Sequence, residues 1–348
     1  MNTPVRLTQF AKGAGCGCKI SPTVLQSILS NTRTPNMQGD LLVGNAGNDD
    51  AAAYDLKNGT ALIATADFFM PVVDDAFTFG KIAAANAISD VYAMGGKPIL
   101  ALAILGWPIE KLTAELAARV LDGAREICAE AGITIAGGHT VESPEPFFGL
   151  SVNGLVPIPH LKQNDAAEAG DLIALTKPLG TGILTTAMKR GLLQDKHLEP
   201  LIKNMTALNA FGAVLGSEPA VTALTDITGF GLAGHLLEVC EGSGLSAEIN
   251  FSSLPLLDGV LEYIQQGILP DATYRNWNAY GNKLGIHESL DPMHCFGILP
   301  DPQTNGGLMV VLKPDSFPSL QELAKNHHTE FIPIGRFMEQ REKTIYFC

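Results

Sequence analysis

The chain has 348 residues, enough for about two domains of ordinary size. Hydrophobic residues make up 46% and charged residues 17% of it, and 36 acidic against 23 basic side chains give a formal charge of −13; this excludes a broad nucleic-acid footprint, which needs clustered Lys and Arg. There is no signal-peptide pattern, no apolar run near the ~20 residues that span a bilayer and no compact cysteine framework, so we expect a cytoplasmic protein without a membrane partner.

Short strands and two helices are predicted along the first half of the chain. Residues 1–40 are rich in Gly, Ser, Thr, Asn and Pro, and we expect a flexible segment with one helical stretch at 22–29. Strands are predicted at 41–43, 51–54, 62–65, 99–105, 133–136 and 148–156. Small and apolar residues at helical spacing predict helices at 79–94 and 109–131, each ended by glycine.

Strands and helices alternate again in the second half. A strand is predicted at 172–176, helices at 180–190, 200–215 and 229–240, and late strands at 307–312 and 331–337. The Pro-containing polar stretch 157–170 separates the halves. We therefore predict two mixed α/β (α+β) domains, residues 41–157 and 158–348, behind the flexible segment 1–40.

Four aspartates occupy turns or strand ends, where carboxylates from different elements can converge on one cleft. Asp50 ends the turn Asn48-Asp49-Asp50, and Asp67 follows a predicted strand. Asp90 lies on a predicted helix, and Asp226 precedes another. Mg²⁺ is usually held by a few carboxylates together with substrate phosphates. Each aspartate alone is more often a turn or N-cap residue, so only the joint pattern indicates a metal site.

Two glycine-rich stretches have the composition of phosphate-binding loops. Gly137-Gly138-His139-Thr140 follows a predicted strand, and Lys177 to Gly182 leads from a strand into a helix. Neither is a Walker A loop, and for each stretch alone an ordinary turn is the slightly better explanation. The polar stretch Asp301 to Gly307 is either a hairpin turn or a loop that closes over a ligand.

Gly15-Cys16-Gly17-Cys18-Lys19 places two thiols beside a lysine. The ammonium should favour the thiolate, and the glycines should let the backbone swing toward a site formed elsewhere. Alone, the segment could equally be half of a soft-metal site, a redox pair or chance, and a tetrahedral zinc site lacks a second cysteine pair. Cys128 and Cys240, within predicted helices, are better explained as small buried hydrophobes.

Together these motifs resemble the selenophosphate synthase (selenide, water dikinase) family along nearly the whole chain. The specific segments are GCGCKI (15–20), NDDAA (48–52), NAISDVYAMGG (86–96), GGHT (137–140), TDITGFG (225–231) and DPQTNGG (301–307). The wider superfamily of aminoimidazole ribonucleotide synthetase, thiamine-monophosphate kinase and a hydrogenase maturation protein shares the two-domain fold and the aspartate-bearing helix. The Cys-Gly-Cys-Lys segment separates this family from them, and Asn305 stands where serine is also common.

The resemblance implies a Mg²⁺-dependent phosphotransferase that converts ATP, selenide and water into selenophosphate, AMP and phosphate. It implies that Cys16 is the catalytic cysteine, a position that some members fill with selenocysteine, and that Lys19 is the essential lysine that contacts the ATP phosphates. The implied metal ligands are Asp50, Asp90 and Asp226. The implied nucleotide contacts are Lys19, Gly47, Asn48, Asp49, Asp67, Asp90, Gly138, His139 and Thr140.

The resemblance also implies a homodimer in which the first-domain sheets meet, so that residues 41–157 bind ATP and Mg²⁺ and form the dimer. A mobile lid that carries Cys16 and Lys19 would keep water away from the reacting selenide. The role of Cys18, the number of Mg²⁺ ions, a monovalent cation requirement and the selenium source, free selenide or a delivery protein, stay open.

Two other functions fit parts of the pattern. The same ATP site could serve a small-metabolite acceptor, as in the sister families. Alternatively, Cys16 and Cys18 could bind metal or selenium cargo in a carrier that uses no nucleotide. The aspartate pattern argues against a pure carrier, because a carrier would not need it.

Overall fold

The fold rests on two mixed β-sheets, each accompanied by helices, as the predicted fold class requires. The computed structural model describes residues 5–20, 24–25, 27–28, 31, 39–44 and 47–348. The first sheet has strand order β1-β2-β3-β6-β4-β5 and the second β10-β13-β9-β12-β7-β11-β8. Among the described residues, no helix is both long and apolar enough to cross a membrane.

The first sheet is antiparallel except for the parallel edge pair β4–β5. Its strands are β1 (Leu41–Val43), β2 (Ala52–Asp55), β3 (Thr60–Phe69), β4 (Lys97–Trp107), β5 (Ile135–Glu142) and β6 (Phe147–Pro157). Helix α1 (Ala76–Ala93) packs on one face of this sheet, and helix α2 (Ala114–Glu130) packs against α1. Gly80 and Gly123 permit this packing, because a Cβ on either would lie within 2 Å of a carbonyl oxygen of the other helix.

Helix α1 is buried on all sides, which suits a helix between the two domains. Asp75 caps its N-terminus by accepting a hydrogen bond from Thr78 N at 2.8 Å. Most of its side chains are small, and the helix contacts β3 and β6 on one side and β8 on the other. Its polar residues Asn86, Ser89 and Asp90 therefore face protein rather than solvent.

The second sheet is mixed, since β13 runs parallel to β9 and β10 and the other pairs are antiparallel. Its strands are β7 (Leu172–Leu175), β8 (Val221–Asp226), β9 (Leu245–Ile249), β10 (Leu284–Ile286), β11 (Leu308–Leu312), β12 (Ile332–Glu339) and β13 (Ile345–Phe347). The helices are α3 (Thr181–Lys189), α4 (Asp195–Thr206), α5 (Phe211–Leu215), α6 (Gly231–Ser243), α7 (Val260–Gln265), α8 (Asp271–Tyr280), α9 (Pro292–Ile298) and α10 (Phe317–Asn326). Strand β11, apolar and wholly buried, lies between β7 and β8.

Several predicted boundaries were wrong. Asp67 lies inside β3 rather than after a strand. Beyond the apolar residues 62–65, exposed residues at 64, 66 and 68 still alternate with less exposed ones, so the strand continues to Phe69. The Gly137 to Thr140 stretch lies within the exposed edge strand β5, where glycine costs little packing. Asp226 is the last residue of β8.

The helical predictions erred for local reasons. The predicted helix at 200–215 is two helices, α4 and α5, with Pro200 inside the first. The predicted helix at 109–131 begins only at Ala114, because Lys111 N bonds to Pro108 O in a preceding turn. The predicted helix at 22–29 lies largely outside the described residues. Elements β9, β10, β13 and α7–α10 were not predicted at all.

Candidate active site

Three aspartates meet in the cleft between the two sheets. Asp50 precedes β2, Asp90 lies on α1, and Asp226 ends β8. One carboxylate oxygen from each lies within 4.8 Å of the other two. The structure therefore brings together the three predicted metal ligands, although 40 residues separate Asp50 from Asp90 and 136 separate Asp90 from Asp226 in the chain.

Hydroxyl groups orient these carboxylates. Thr65 Oγ1 donates to Asp90 Oδ2 at 2.5 Å, and Thr225 Oγ1 donates to Asp50 Oδ1 at 3.0 Å. Ser89 donates to Asp226 Oδ2 and itself accepts from Asn209 Nδ2 at 2.7 Å. Asp50 Oδ2 is buried without a hydrogen-bond partner, and within the described part of the chain none of the three forms an ion pair.

The buried carboxylates repel one another. Burial, followed by the neighbouring carboxylates, raises the pKa of Asp50 and of Asp90 well above the usual value. Burial also raises the pKa of Asp226, which the Ser89 hydrogen bond opposes. A divalent cation would reverse this preference for protonation. Hard oxygen donors, like charges and an unpaired buried oxygen are the donor set that suits Mg²⁺.

Asn86 joins Asp67 to the cysteine of the N-terminal segment. Its Nδ2 donates to Asp67 Oδ2 at 2.6 Å. Its Oδ1 accepts from Cys16 Sγ at 3.1 Å and from Asn305 N at 2.7 Å. Lys19 Nζ lies 3.8 Å from Asp67 Oδ2. Cys16 and Lys19 thus lie beside Asp67; the Cys18 side chain is outside the described part of the structure.

Glycines allow the cysteine segment to lie close against both domains. Cys16 is 1% exposed in a short 3₁₀ turn, and its N–H donates to Thr304 Oγ1 at 3.2 Å. Gly15 has φ of 51°, and a Cβ there would lie 2.3 Å from Thr304 Oγ1. A Cβ on Gly229 would lie 2.6 Å from Cys16 O. Neither glycine can be replaced without moving the segment.

Lys19 favours the thiolate of Cys16, as predicted, but the surroundings of the thiol oppose it more strongly. Burial and then the Asp67 carboxylate raise the pKa of the Cys16 thiol well above its usual value, and Lys19 lowers it only in part. Although 39% of the Lys19 side chain is exposed, its ammonium lies among protein groups. Burial lowers the pKa of Lys19, but the nearby acidic groups, Asp67 first, raise it further, so Lys19 remains a cation.

Two predicted sets of nucleotide contacts remain, the turn 47–49 and the stretch 138–140. In the turn 47–49, Asp49 Oδ1 accepts from Asn164 N at 2.8 Å and Asn48 O accepts from Asn164 Nδ2 at 3.0 Å, so the turn is tied to the stretch between the sheets. Gly138, His139 and Thr140 are exposed on the edge strand β5. The nucleotide roles of Gly47, Asn48, Asp49, Gly138, His139 and Thr140 therefore stay predictions.

The loop from Asp301 to Gly307 is buried, and its Thr304 accepts the hydrogen bond from Cys16 N. Gln303 Oε1 accepts from Gly180 N and Thr181 N, both at 3.1 Å, so the protein's own side chain occupies the amides of the second glycine-rich stretch. Lys177 Nζ donates to Asn305 O at 3.1 Å. Burial lowers the pKa of this Lys177 ammonium to about 7. These contacts are structural.

The contacts of Asn86 and Thr304 with Cys16 were not predicted, although these residues lie in the segments 86–96 and 301–307. Asn86 precedes Asp90 by four residues, so both lie on one face of α1, and that spacing could have identified it. No local signal marks Thr304, whose partner Cys16 is 288 residues away in the chain.

Comparisons with known proteins cover both halves of the chain. The model of the N-terminal domain of AIR synthase related proteins matches residues 48–156, and the model of their C-terminal domain matches residues 168–347. The selenide, water dikinase of Aeromonas salmonicida is 53% identical over 332 residues, which cover 95% of each chain. That of Photorhabdus laumondii is 51% identical over 345 residues, covering 99% of this chain and 98% of the relative.

Solved structures share the fold at low sequence identity. A thiamine-monophosphate kinase from Stenotrophomonas maltophilia has a TM-score of 0.65 at 19% identity and covers 93% of this chain and 94% of its own. The structure "AaThiL complexed with AMPPCP and TMP" has a TM-score of 0.69 at 18% identity, covering 94% and 93%. A HypE-HypF complex gives 0.68 at 20% identity, covering 93% and 96%.

Proposed function

Because the chain belongs to the selenide, water dikinase family, it synthesises selenophosphate with ATP as the phosphoryl donor, and we propose that the cleft between its two sheets is the active site. The observation that carries the proposal is the convergence of Asp50, Asp90 and Asp226 beside the segment that holds Cys16 and Lys19. The proposed products are selenophosphate, AMP and phosphate.

Asp50, Asp90 and Asp226 are proposed to hold Mg²⁺. The support is the donor set described above, above all the buried Asp50 oxygen that lacks a partner. Bound Mg²⁺ would offset the charge of the ATP phosphates and stabilise charge that develops during phosphoryl transfer. The hydroxyls of Thr65 and Thr225 would keep Asp90 and Asp50 oriented.

Lys19 is proposed to bind the ATP phosphates. It stays protonated among carboxylates, and 39% of its side chain is exposed, so an incoming polyphosphate could displace its long contact of 3.8 Å with Asp67. The remaining proposed nucleotide contacts are Asp67, Asp90, the turn of Gly47, Asn48 and Asp49, and the β5 stretch of Gly138, His139 and Thr140.

Cys16 is proposed as the catalytic cysteine. Its thiol is held by Asn86 in a place that is almost closed to water, beside Asp67 and Lys19. Because little water reaches this place, transfer of the phosphoryl group to selenide would be favoured over its transfer to water. The closed position of residues 5–20 is the position that a lid would take during the reaction, and substrate entry would require it to open.

A homodimer through the first sheet is the proposed assembly. On the face away from α1, Phe68 is 50%, Ile99 43% and Leu102 40% exposed. A second copy of the chain would cover these apolar side chains and bring the exposed β5 near the other subunit. Sedimentation velocity should show a dimer at micromolar concentration, and a monomer would contradict the proposal.

A cytoplasmic location is also proposed. The five cysteines whose side chains are described are all free, as expected in a reducing compartment. Whether selenium arrives as free selenide or on a delivery protein is left to experiment.

The direct test of function is an anaerobic reaction of the protein with ATP, Mg²⁺ and selenide, followed by ³¹P NMR. We expect a phosphorus signal split by coupling to selenium, together with AMP and phosphate. If ATP consumption does not depend on selenide but depends on another small acceptor, the result would instead favour phosphoryl transfer to a small metabolite.

A further inference from the structure

One lysine of the C-terminal half binds the main chain of the N-terminal segment. Lys189, in the last turn of α3, donates from Nζ to the carbonyl oxygens of Ala11 at 2.9 Å, Lys12 at 3.2 Å and Gly13 at 3.2 Å. An ammonium has three N–H donors, and here all of them go to one short stretch of main chain. Charge-assisted hydrogen bonds of this kind are stronger than those between neutral groups.

Helix α3 connects this contact to the one at Cys16. At the N-terminus of the helix, Gly180 N and Thr181 N donate to Gln303 Oε1. The next residue of that loop, Thr304, accepts the N–H of Cys16 and also donates its own N–H to Thr181 Oγ1 at 3.1 Å. One rigid helix therefore positions both the residues before Cys16 and the hydroxyl that holds Cys16 itself.

A second cation lies on the other side of the cysteine. Arg275 of α8 donates from Nη2 to Gly17 O at 2.6 Å. Within the described part of the chain, neither Lys189 nor Arg275 has a carboxylate within ion-pair distance. Both cations therefore bind main-chain carbonyl oxygens on either side of Cys16 and form no ion pair with an acidic side chain of the described residues.

We propose that Lys189 is a positioning residue that latches the N-terminal segment in its closed position, with Arg275 as a second contact. Breaking the three bonds of Lys189 releases residues 11–13 and lets Cys16 and Lys19 leave the aspartate cluster together. The latch follows from these contacts alone; its effect on catalysis rests on the proposed function. It makes the C-terminal half one of two parts of the chain that hold the segment, beside Met70 and Asp74 of the N-terminal half.

The test compares Lys189→Met with Lys196→Met in the full chain carrying Cys348→Ser, which removes an exposed thiol. Lys196 is an exposed lysine of α4 without a side-chain partner among the described residues. The measurement is the alkylation rate of Cys16 by iodoacetamide without nucleotide, assigned to the residue by mass spectrometry. We expect Lys189→Met to raise this rate about tenfold, and Lys196→Met to leave it unchanged.

Internal controls separate local opening from unfolding. Cys128 and Cys240 are 1% and 0% exposed, so their alkylation stays slow as long as the fold is intact. Lys189→Arg keeps the charge and the donors and should restore most of the protection of Cys16. If Lys189→Met unfolds the chain, the same measurement on Arg275→Met, with an expected increase of a few-fold, decides the question.

Activity is the second readout. We expect Lys189→Met to raise the KM for selenide and lower kcat/KM about tenfold, with the affinity for Mg²⁺ unchanged. An unchanged alkylation rate at Cys16 overturns the latch, whatever the activity. A raised alkylation rate in a protein that never makes selenophosphate leaves the latch standing and overturns the proposed function instead.

Discussion

The aspartates of the cleft lie on or beside regular elements, whereas Cys16 and Lys19 lie on a segment that other parts of the chain hold in place. Asp90 is fixed by the buried helix α1, and Asp226 ends a strand paired along its length with β11. Cys16 depends instead on single hydrogen bonds to Thr304 and Asn86. The aspartate side is therefore preorganised, whereas the thiol side, if the segment is the proposed lid, would form only when the segment docks.

The largest effect on activity is expected for Asp90→Asn in the aspartate cluster. It removes one proposed ligand while keeping the shape, and we expect turnover to fall by about 10²–10³-fold. Because it also removes one of several buried like charges, the Mg²⁺-free protein should melt at a higher temperature than the wild type. Turnover assays and calorimetry check both effects. Asp122→Asn, an exposed residue of α2, is the matched control, and equal loss of activity in both variants would contradict the assignment.

Cys16→Ser breaks the thiol side alone. We expect selenide-dependent turnover to be lost, because the serine hydroxyl is a harder and less reactive group toward selenide than the cysteine thiol. Binding of ATP and Mg²⁺ should persist. Isothermal titration with a non-hydrolysable ATP analogue measures the binding, and ³¹P NMR measures the product. Normal turnover in this variant would show that the role given to Cys16 is wrong.

Gly15→Ala should loosen the docking without touching any proposed ligand. The new methyl would meet Thr304 Oγ1 at 2.3 Å, in a left-handed conformation that alanine rarely adopts. We expect Cys16 alkylation to rise several-fold, while the melting temperature changes by about 2 °C or less. Gly39→Ala is the control, since Gly39 has φ of 73° and no atom within 4 Å of the new Cβ. An equal response of both variants would mean that backbone strain, and not the clash, is responsible.

The smallest expected effect is a pH dependence of the aspartate side. The folded pKa values of Asp50 and Asp90 lie above the unfolded value of about 3.9, so the folded chain binds more protons. Their contribution to stability is present at low pH and is lost as the pH rises through the folded pKa values. Added Mg²⁺ should therefore raise the melting temperature more near pH 8 than near pH 5.

Melting curves at both pH values, with and without Mg²⁺, measure this difference. The same experiment on Asp90→Asn should show a smaller pH effect, because one of the coupled carboxylates is gone. A Mg²⁺ stabilisation that is equal at both pH values would count against a cation at this cluster.

The sequence was informative where chemistry is carried by short motifs and uninformative where it depends on distant contacts. Asp50, Asp90 and Asp226 stand in recognisable local patterns, and the alternation of strands and helices indicated the fold class. Lys189 carries no such pattern, because its partner Ala11 is 178 residues away and is recognised through its main chain. The sequence indicated the effect of Lys19 on the Cys16 thiol, but it could not show that burial by residues far along the chain raises the pKa of that thiol more than Lys19 lowers it.

The central claim is that one cleft joins the aspartate cluster to the cysteine segment. A crystal structure with Mg²⁺ and a non-hydrolysable ATP analogue tests it most directly. We expect oxygens of Asp50, Asp90 and Asp226 to coordinate Mg²⁺, Lys19 to contact a phosphate, and Cys16 Sγ to lie near the terminal phosphate. Nucleotide bound elsewhere, or an aspartate cluster without a cation at saturating Mg²⁺, would contradict the account.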